Sequence, residues 1–120
     1  MGTILLADDD AAVRDLVKRA LASDGHTVHA AEDGTEGLKV LDAFGPGIGI
    51  IVTDLDMPGL DGISLAKEAR ARNPDIAIIF MSAFADQLDR TKSLGQSRLM
   101  SITKPFSLEQ IKQLVRSVAA

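Results

Sequence analysis

The 120-residue chain contains no cysteine, tryptophan or tyrosine and only four phenylalanines. Without thiols it has neither a disulfide framework nor a thiolate metal site. With so few aromatic rings it lacks the platforms on which nucleobases stack, and a flavin sandwich would have little to be built from. Its apolar runs are far shorter than the roughly 20 residues of a membrane-spanning helix, and none forms the core of a secretory signal. A basic excess is missing as well. The 17 acidic and 13 basic residues give a net charge of −4, which offers no electrostatic footprint for nucleic acid or an anionic membrane. What remains is the composition of a single cytoplasmic domain over residues 1–120, within the usual domain size of about 100–150 residues, and a monomer is expected.

Short apolar runs alternate with stretches of helical period, the pattern of βα units around a parallel sheet. Five units are expected. The strands fall at Thr3 to Ala7, His26 to Ala30, the run from Ile48 to Thr53, Ile76 to Met81, and Leu99 to Ile102. Helix one runs from Ala11 to Ser23, with Val13, Leu16, Val17, Ala20 and Leu21 repeating on one face, Asp10 as its cap and Gly25 past its end. Helix two covers Gly34 to Phe44 with Leu38, Leu41 and Phe44 turned inward, and Gly45-Pro46-Gly47 breaks the chain before strand three. Ile63 to Arg72 is helical, Asp86 to Leu94 is a weakly patterned helix, and a last helix follows Ser107 as its N-cap, with Glu109 and Gln110 in its first turn. Strand three is apolar on both faces and so belongs in the centre of the sheet.

Three strand ends carry charge. Asp8-Asp9-Asp10 closes the first apolar run, Asp54 the third, and Lys104-Pro105 the last. Acidic residues after strands are common because aspartate caps helices and favours turns. Asp10 and Asp61 read as such structural cases. If the strands lie parallel and side by side, however, Asp9, Asp54 and Lys104 converge on one edge of the sheet, where ligands of open α/β sheets bind. Several carboxylate oxygens suit a hard divalent cation, and a phosphoryl group wants a metal and an ammonium beside it.

The set Leu5-Leu6-Ala7-Asp8-Asp9, Val52-Thr53-Asp54-Leu55-Asp56-Met57-Pro58-Gly59-Leu60-Asp61-Gly62, Met81-Ser82-Ala83 and Thr103-Lys104-Pro105-Phe106 closely resembles the receiver domain of bacterial two-component response regulators. The resemblance covers the whole chain. It implies a flavodoxin-like (βα)5 doubly wound α/β domain with strand order 2-1-3-4-5, for which a chemotaxis receiver is itself the standing example. It also implies that Asp54 accepts a phosphoryl group from a histidine kinase or histidine phosphotransfer protein. Asp9, Asp54 and the backbone carbonyl of Asp56 would then hold Mg²⁺ or Mn²⁺, with Asp8 acting through water. Lys104 and Ser82 would contact the phosphoryl oxygens, and Pro105 would follow a cis bond. Such a chain is a signalling protein and not an enzyme, apart from slow self-dephosphorylation.

The chain departs from the family pattern at Ser101, where most receivers carry an aromatic residue three positions before the lysine. Phe84 is the nearest candidate to take over that role. The stretch Gly95 to Arg98 is longer than usual, and Asp56 adds negative charge beside the metal. Among other functions, Asp54-Leu55-Asp56 after a strand resembles the nucleophile motif of haloacid-dehalogenase-like phosphatases, but that motif normally opens its chain and an acidic pair should follow the lysine. A receiver fold working as an interaction module without phosphorylation is a further alternative. A flavodoxin is excluded, because Asp8-Asp9-Asp10 stands where the FMN phosphate loop would be. Phe80-Met81-Ser82-Ala83-Phe84-Ala85 and the ending Ser117-Val118-Ala119-Ala120 are similar to single-domain regulators of the CpdR type, which implies output by contact with a ClpXP-type protease.

Overall fold

The computed structural model describes residues 3–83, 91 and 98–119. Strand β1 (Thr3–Ala7) is followed by α1 (Ala11–Ser23), β2 (Thr27–Ala31), α2 (Gly34–Phe44), a 3-10 turn over Gly45–Gly47, β3 (Ile50–Asp54), α3 (Gly62–Arg72), β4 (Ala77–Ser82), β5 (Leu99–Thr103) and α4 (Leu108–Ala119). All strand pairings are parallel, in the order β2-β1-β3-β4-β5. This is the doubly wound, flavodoxin-like architecture that the sequence implies.

Local chemistry sets the helix starts. Asp10 accepts hydrogen bonds from the amides of Ala12 (3.0 Å) and Val13 (3.2 Å), Asp33 from Glu36 (2.7 Å), and Asp61 from Ser64 (2.8 Å). Each satisfies a donor that the first helical turn leaves without a backbone partner. At α4 the exchange is reciprocal: the Ser107 hydroxyl accepts from Gln110 N (3.1 Å) while the Gln110 side chain accepts from Ser107 N (2.7 Å).

Alternation along the strands divides the core in two. Leu5, Ala7, Ile51, Ile78 and Phe80 face α2 and α3, whose Leu41 and Leu65 join them. Ile4, Leu6, Val52, Ile79 and Met81 face α1 and α4, meeting Val17, Leu21, Ile111 and Val115. Strand β3 is buried on both faces through Ile50, Ile51, Val52 and Thr53, as its unbroken apolar run requires.

Some expectations need correction. The second strand begins and ends one residue later than expected, because its pairing with β1 runs from Thr27 to Ala31. Phe44 is 47% exposed. It stands beyond the edge of the sheet and stacks on the His29 ring of edge strand β2, with centroids 4.1 Å apart. Leu16 is 52% exposed, because the apolar stripe of α1 is wider than the surface that covers it; the residue lines an open groove with Val13, Pro105, Phe106 and Leu108. Phe84 and the helix expected from Asp86 to Leu94 lie outside the described residues, Thr91 apart.

This division makes a direct prediction. Ile51→Ala removes a fully buried side chain from the central strand and is expected to cost about 2–5 kcal/mol in urea unfolding, whereas Leu16→Ala should cost under about 1 kcal/mol. Equal losses would contradict the burial pattern.

Candidate functional site

The strand order brings the charged strand ends together. From β1 the chain passes to one side to form β2 and then crosses to form β3 on the other, so β1 and β3 flank the switch point where ligands bind in open sheets. Ala7 pairs with Thr53, Asp54 with Met81, and Ser82 with Thr103. Asp8 and Asp9 therefore leave β1 beside Asp54, while Ser82 ends β4 and Lys104 leaves β5 on the far side.

Lys104 ties these ends together. Its Nζ donates to Asp54 Oδ2 at 2.8 Å and to Asp8 Oδ2 at 3.1 Å, and its backbone amide donates to the Ser82 carbonyl at 2.7 Å. The Lys104–Pro105 bond is cis, as the resemblance implies. Burial opposes the charge on Lys104, but the hydrogen bond it donates to Asp54 and the charges of Asp8 and Asp54 outweigh it, and its pKa lies above the ordinary lysine value.

Asp8 is fully buried. Its Oδ1 accepts from Asp10 N (2.9 Å), its own amide donates to Ala31 O (3.2 Å), and its carbonyl accepts from Arg14 Nη1 (2.7 Å). Burial raises the Asp8 carboxyl pKa, and the charge of Asp54 adds to the rise; the Asp10 amide and Lys104 pull it back without cancelling it. Asp54 is 14% exposed at its side chain and its Oδ1 accepts from Asp56 N at 3.3 Å. Asp9 is exposed at the mouth. One carboxylate oxygen from each of Asp8, Asp9 and Asp54 lies within 4.8 Å of the others, an all-oxygen set that fits a hard cation such as Mg²⁺. Asp9, Asp56, Met57, Pro58 and Asp61 line the open depression above it. Ser82 is fully buried at the end of β4, one residue past the Met81 that pairs with Asp54.

Of the residues expected at the site, Asp8, Asp9, Asp54 and Lys104 come together directly, and Asp56 and Ser82 flank them. Sequence reasoning missed three neighbours. Asp61 caps α3 as expected, yet it also borders the acidic depression. Arg14 lies six residues beyond the carbonyl it holds, and no local pattern signals that contact. Gly62 begins α3 where a Cβ would stand 2.0 Å from the Asp54 carbonyl oxygen; a glycine at the start of a helix, against its propensity, is the signal that was available.

An acidic trio and a lysine gathered at the switch point of a 2-1-3-4-5 parallel sheet define a flavodoxin-like α/β domain with a charged pocket at the strand ends. The chain belongs to the response regulator receiver domain family, whose model matches residues 4–116. It is 38% identical over 116 residues to the sensor kinase CckA of Brucella abortus, covering 97% of this chain and 12% of CckA. It is 33% identical over 115 residues to the response regulator MprA of Mycobacterium ulcerans, covering 96% of this chain and 49% of MprA. The chain thus spans at most about half of these relatives. Among solved structures, the receiver domain of the hybrid histidine kinase CckA is 27% identical with a TM-score of 0.85, covering 99% of this chain and all of that one (100%). The response regulator TrrA of Thermotoga maritima, crystallised with Mg²⁺-BeF, is 28% identical with a TM-score of 0.83, covering 98% of this chain and 99% of that one. Receiver domains accept phosphoryl groups from histidine kinases or phosphotransfer proteins, bind Mg²⁺ at an acidic pocket, and are not generally enzymes. The phosphatase alternative gives way to this assignment. No helix among the described residues is long and apolar enough to cross a membrane.

The buried Asp8 gives the site a pH signature. Because its folded pKa lies above the ordinary value of 3.8, the unfolded chain releases the Asp8 proton first as pH rises, and folding stability falls across the window from that value up to the raised one. Metal-free Asp8→Asn lacks this loss. Its urea midpoint is expected to gain on the wild type as pH rises through that window and to keep a constant lead above it. A lead that shrinks with rising pH would contradict the assignment.

Proposed function

We propose that this chain is a phosphorylation-dependent signalling receiver in which Asp54 is the phosphoacceptor. The observation that carries the reading is the Lys104 ammonium held between Asp54 (2.8 Å) and Asp8 (3.1 Å), beside an oxygen set fit for a hard cation. An Asp54 carboxylate oxygen attacks the phosphorus of a phosphohistidine. The O–P bond forms as the P–N bond breaks, and the imidazole nitrogen leaves with the electron pair, giving an acyl phosphate and a histidine. Lys104 is already in place for the charge that moves onto the phosphoryl oxygens, and the Ser82 hydroxyl donates to another of them.

Asp9, Asp54 and the backbone carbonyl of Asp56 would hold the cation. Asp8, whose oxygens already accept from Asp10 N and Lys104, would act through water, as the family resemblance implies. Bound Mg²⁺ supplies charge neutralisation between the carboxylates and the incoming anion, and phosphoryl transfer depends mainly on such positioning. Mn²⁺ suits the same oxygen ligands. A histidine kinase or phosphotransfer protein as donor places the chain in the cytoplasm, and its output is protein contact, with a ClpXP-type protease as one candidate partner.

Treatment with acetyl phosphate or phosphoramidate and Mg²⁺, followed by borohydride trapping and mass spectrometry, is expected to place the label on Asp54 alone. Label retained in Asp54→Asn would refute the assignment. The cation ligands are tested separately. Mg²⁺ well above its dissociation constant should stabilise the fold by about 1–3 kcal/mol, and Asp9→Ala should abolish that response in thermal melts; an unchanged response would remove Asp9 from the ligand set.

A further inference from the structure

The loop from Leu55 to Asp61 carries the Asp56 carbonyl; buried Leu55 and Met57 seat its start in the core and the Leu55 amide donates to the Met81 carbonyl (3.1 Å), whereas Asp56, Pro58 and Gly59 are exposed, so the position of its outer stretch depends on what that stretch meets. The opposite wall is the first turn of α2. A Cβ on Gly34, the first residue of that helix, would stand 1.8 Å from the Leu60 carbonyl oxygen and 2.6 Å from its carbonyl carbon. A Cβ on Gly59, whose φ is +75°, would stand 2.9 Å from Thr35 Oγ1. Helix and loop therefore meet with no room for a methyl group on the helix side. Real Cβ atoms essentially never come within 3.0 Å of such a neighbour, so a methyl group at Gly34 would force a backbone shift of more than an ångström. Glycine at a helix start is a poor helix former, and close approach is the reason it stands there.

We propose that Gly34 is a positioning residue for the cation site. By letting the first turn of α2 press against Leu60, it sets the height of the 55–61 loop, and with it the Asp56 carbonyl and the Asp56 amide that donates to Asp54 Oδ1 (3.3 Å). Helix α2 is anchored by fully buried Leu41 and by the Asp33 cap, whereas the stretch of loop that faces it, Pro58 to Leu60, has no fully buried side chain, so added bulk displaces that stretch. This inference rests on the reading of the Asp56 carbonyl as a cation ligand.

Gly37, one turn further along α2, provides the control. A Cβ there would stand 2.9 Å from Leu65 Cδ2, so it meets the end of a flexible side chain and not the loop backbone. Mg²⁺ dissociation constants of the full chain, measured by calorimetry, and amide exchange across residues 55–62 without metal are compared for wild type, Gly34→Ala and Gly37→Ala. Both variants are expected to melt lower. Gly34→Ala alone should bind Mg²⁺ about tenfold more weakly, as changes that misorient metal ligands do, and alone should speed exchange in the loop. Should it fail to fold in buffer alone, the three chains are compared in trimethylamine N-oxide, which favours the compact state. If wild type binds Mg²⁺ and Gly34→Ala binds it equally well, or if Gly37→Ala loses as much, the proposal is overturned while the ligand reading stands. If wild type binds no Mg²⁺, both fall.

Discussion

Like charges drive the edge of this sheet apart, and one lysine holds it together. Asp8, Asp9 and Asp54 bring carboxylate oxygens within 4.8 Å of one another, an arrangement that unpaired anions in a partly desolvated pocket resist. Lys104 offsets the two most buried of them at once. The arrangement requires β1, β3 and β5 to end at one level, which the parallel registers through β4 provide. The fold therefore serves the site chiefly by setting strand ends, and the two hydrophobic layers serve it by keeping the strands from slipping.

The same constraint explains how much of the protein could be read from its sequence. Caps were legible at Asp10, Asp61 and Ser107 because an N-cap is decided within three or four residues. Strand β3 was legible because burial on both faces leaves no polar alternation. Phe44 and Leu16 were misplaced because helical period reveals a stripe and not the width of what covers it. The site divides the same way. That Asp9, Asp54 and Lys104 follow strands is local information. That Lys104 reaches Asp8 across 96 residues and Asp54 across 50 depends on strand order, which periodicity does not supply and family resemblance does. Arg14 on the Asp8 carbonyl and Gly34 against Leu60 were invisible for the same reason, since both are contacts between elements.

A relay of the proposed phosphorylation would find no aromatic ring at Ser101 of β5. Ser101 pairs with Phe80, and Ser101 is exposed while Phe80 is buried against α2 and α3. A serine has no ring to trade between inward and outward positions. Ser82, which is buried and whose carbonyl already holds the Lys104 amide, is the described residue best placed to connect the phosphoryl group with the β4–β5 edge.

If Asp54 is the phosphoacceptor proposed above, the acidic edge around it binds a divalent cation. Anomalous diffraction from crystals soaked in Mn²⁺ measures this directly. A single strong peak is expected at about 2.0–2.2 Å from oxygens of Asp9, Asp54 and the Asp56 carbonyl, with the Lys104 ammonium still on Asp54. A peak bound by other residues, or none at millimolar metal, would contradict it.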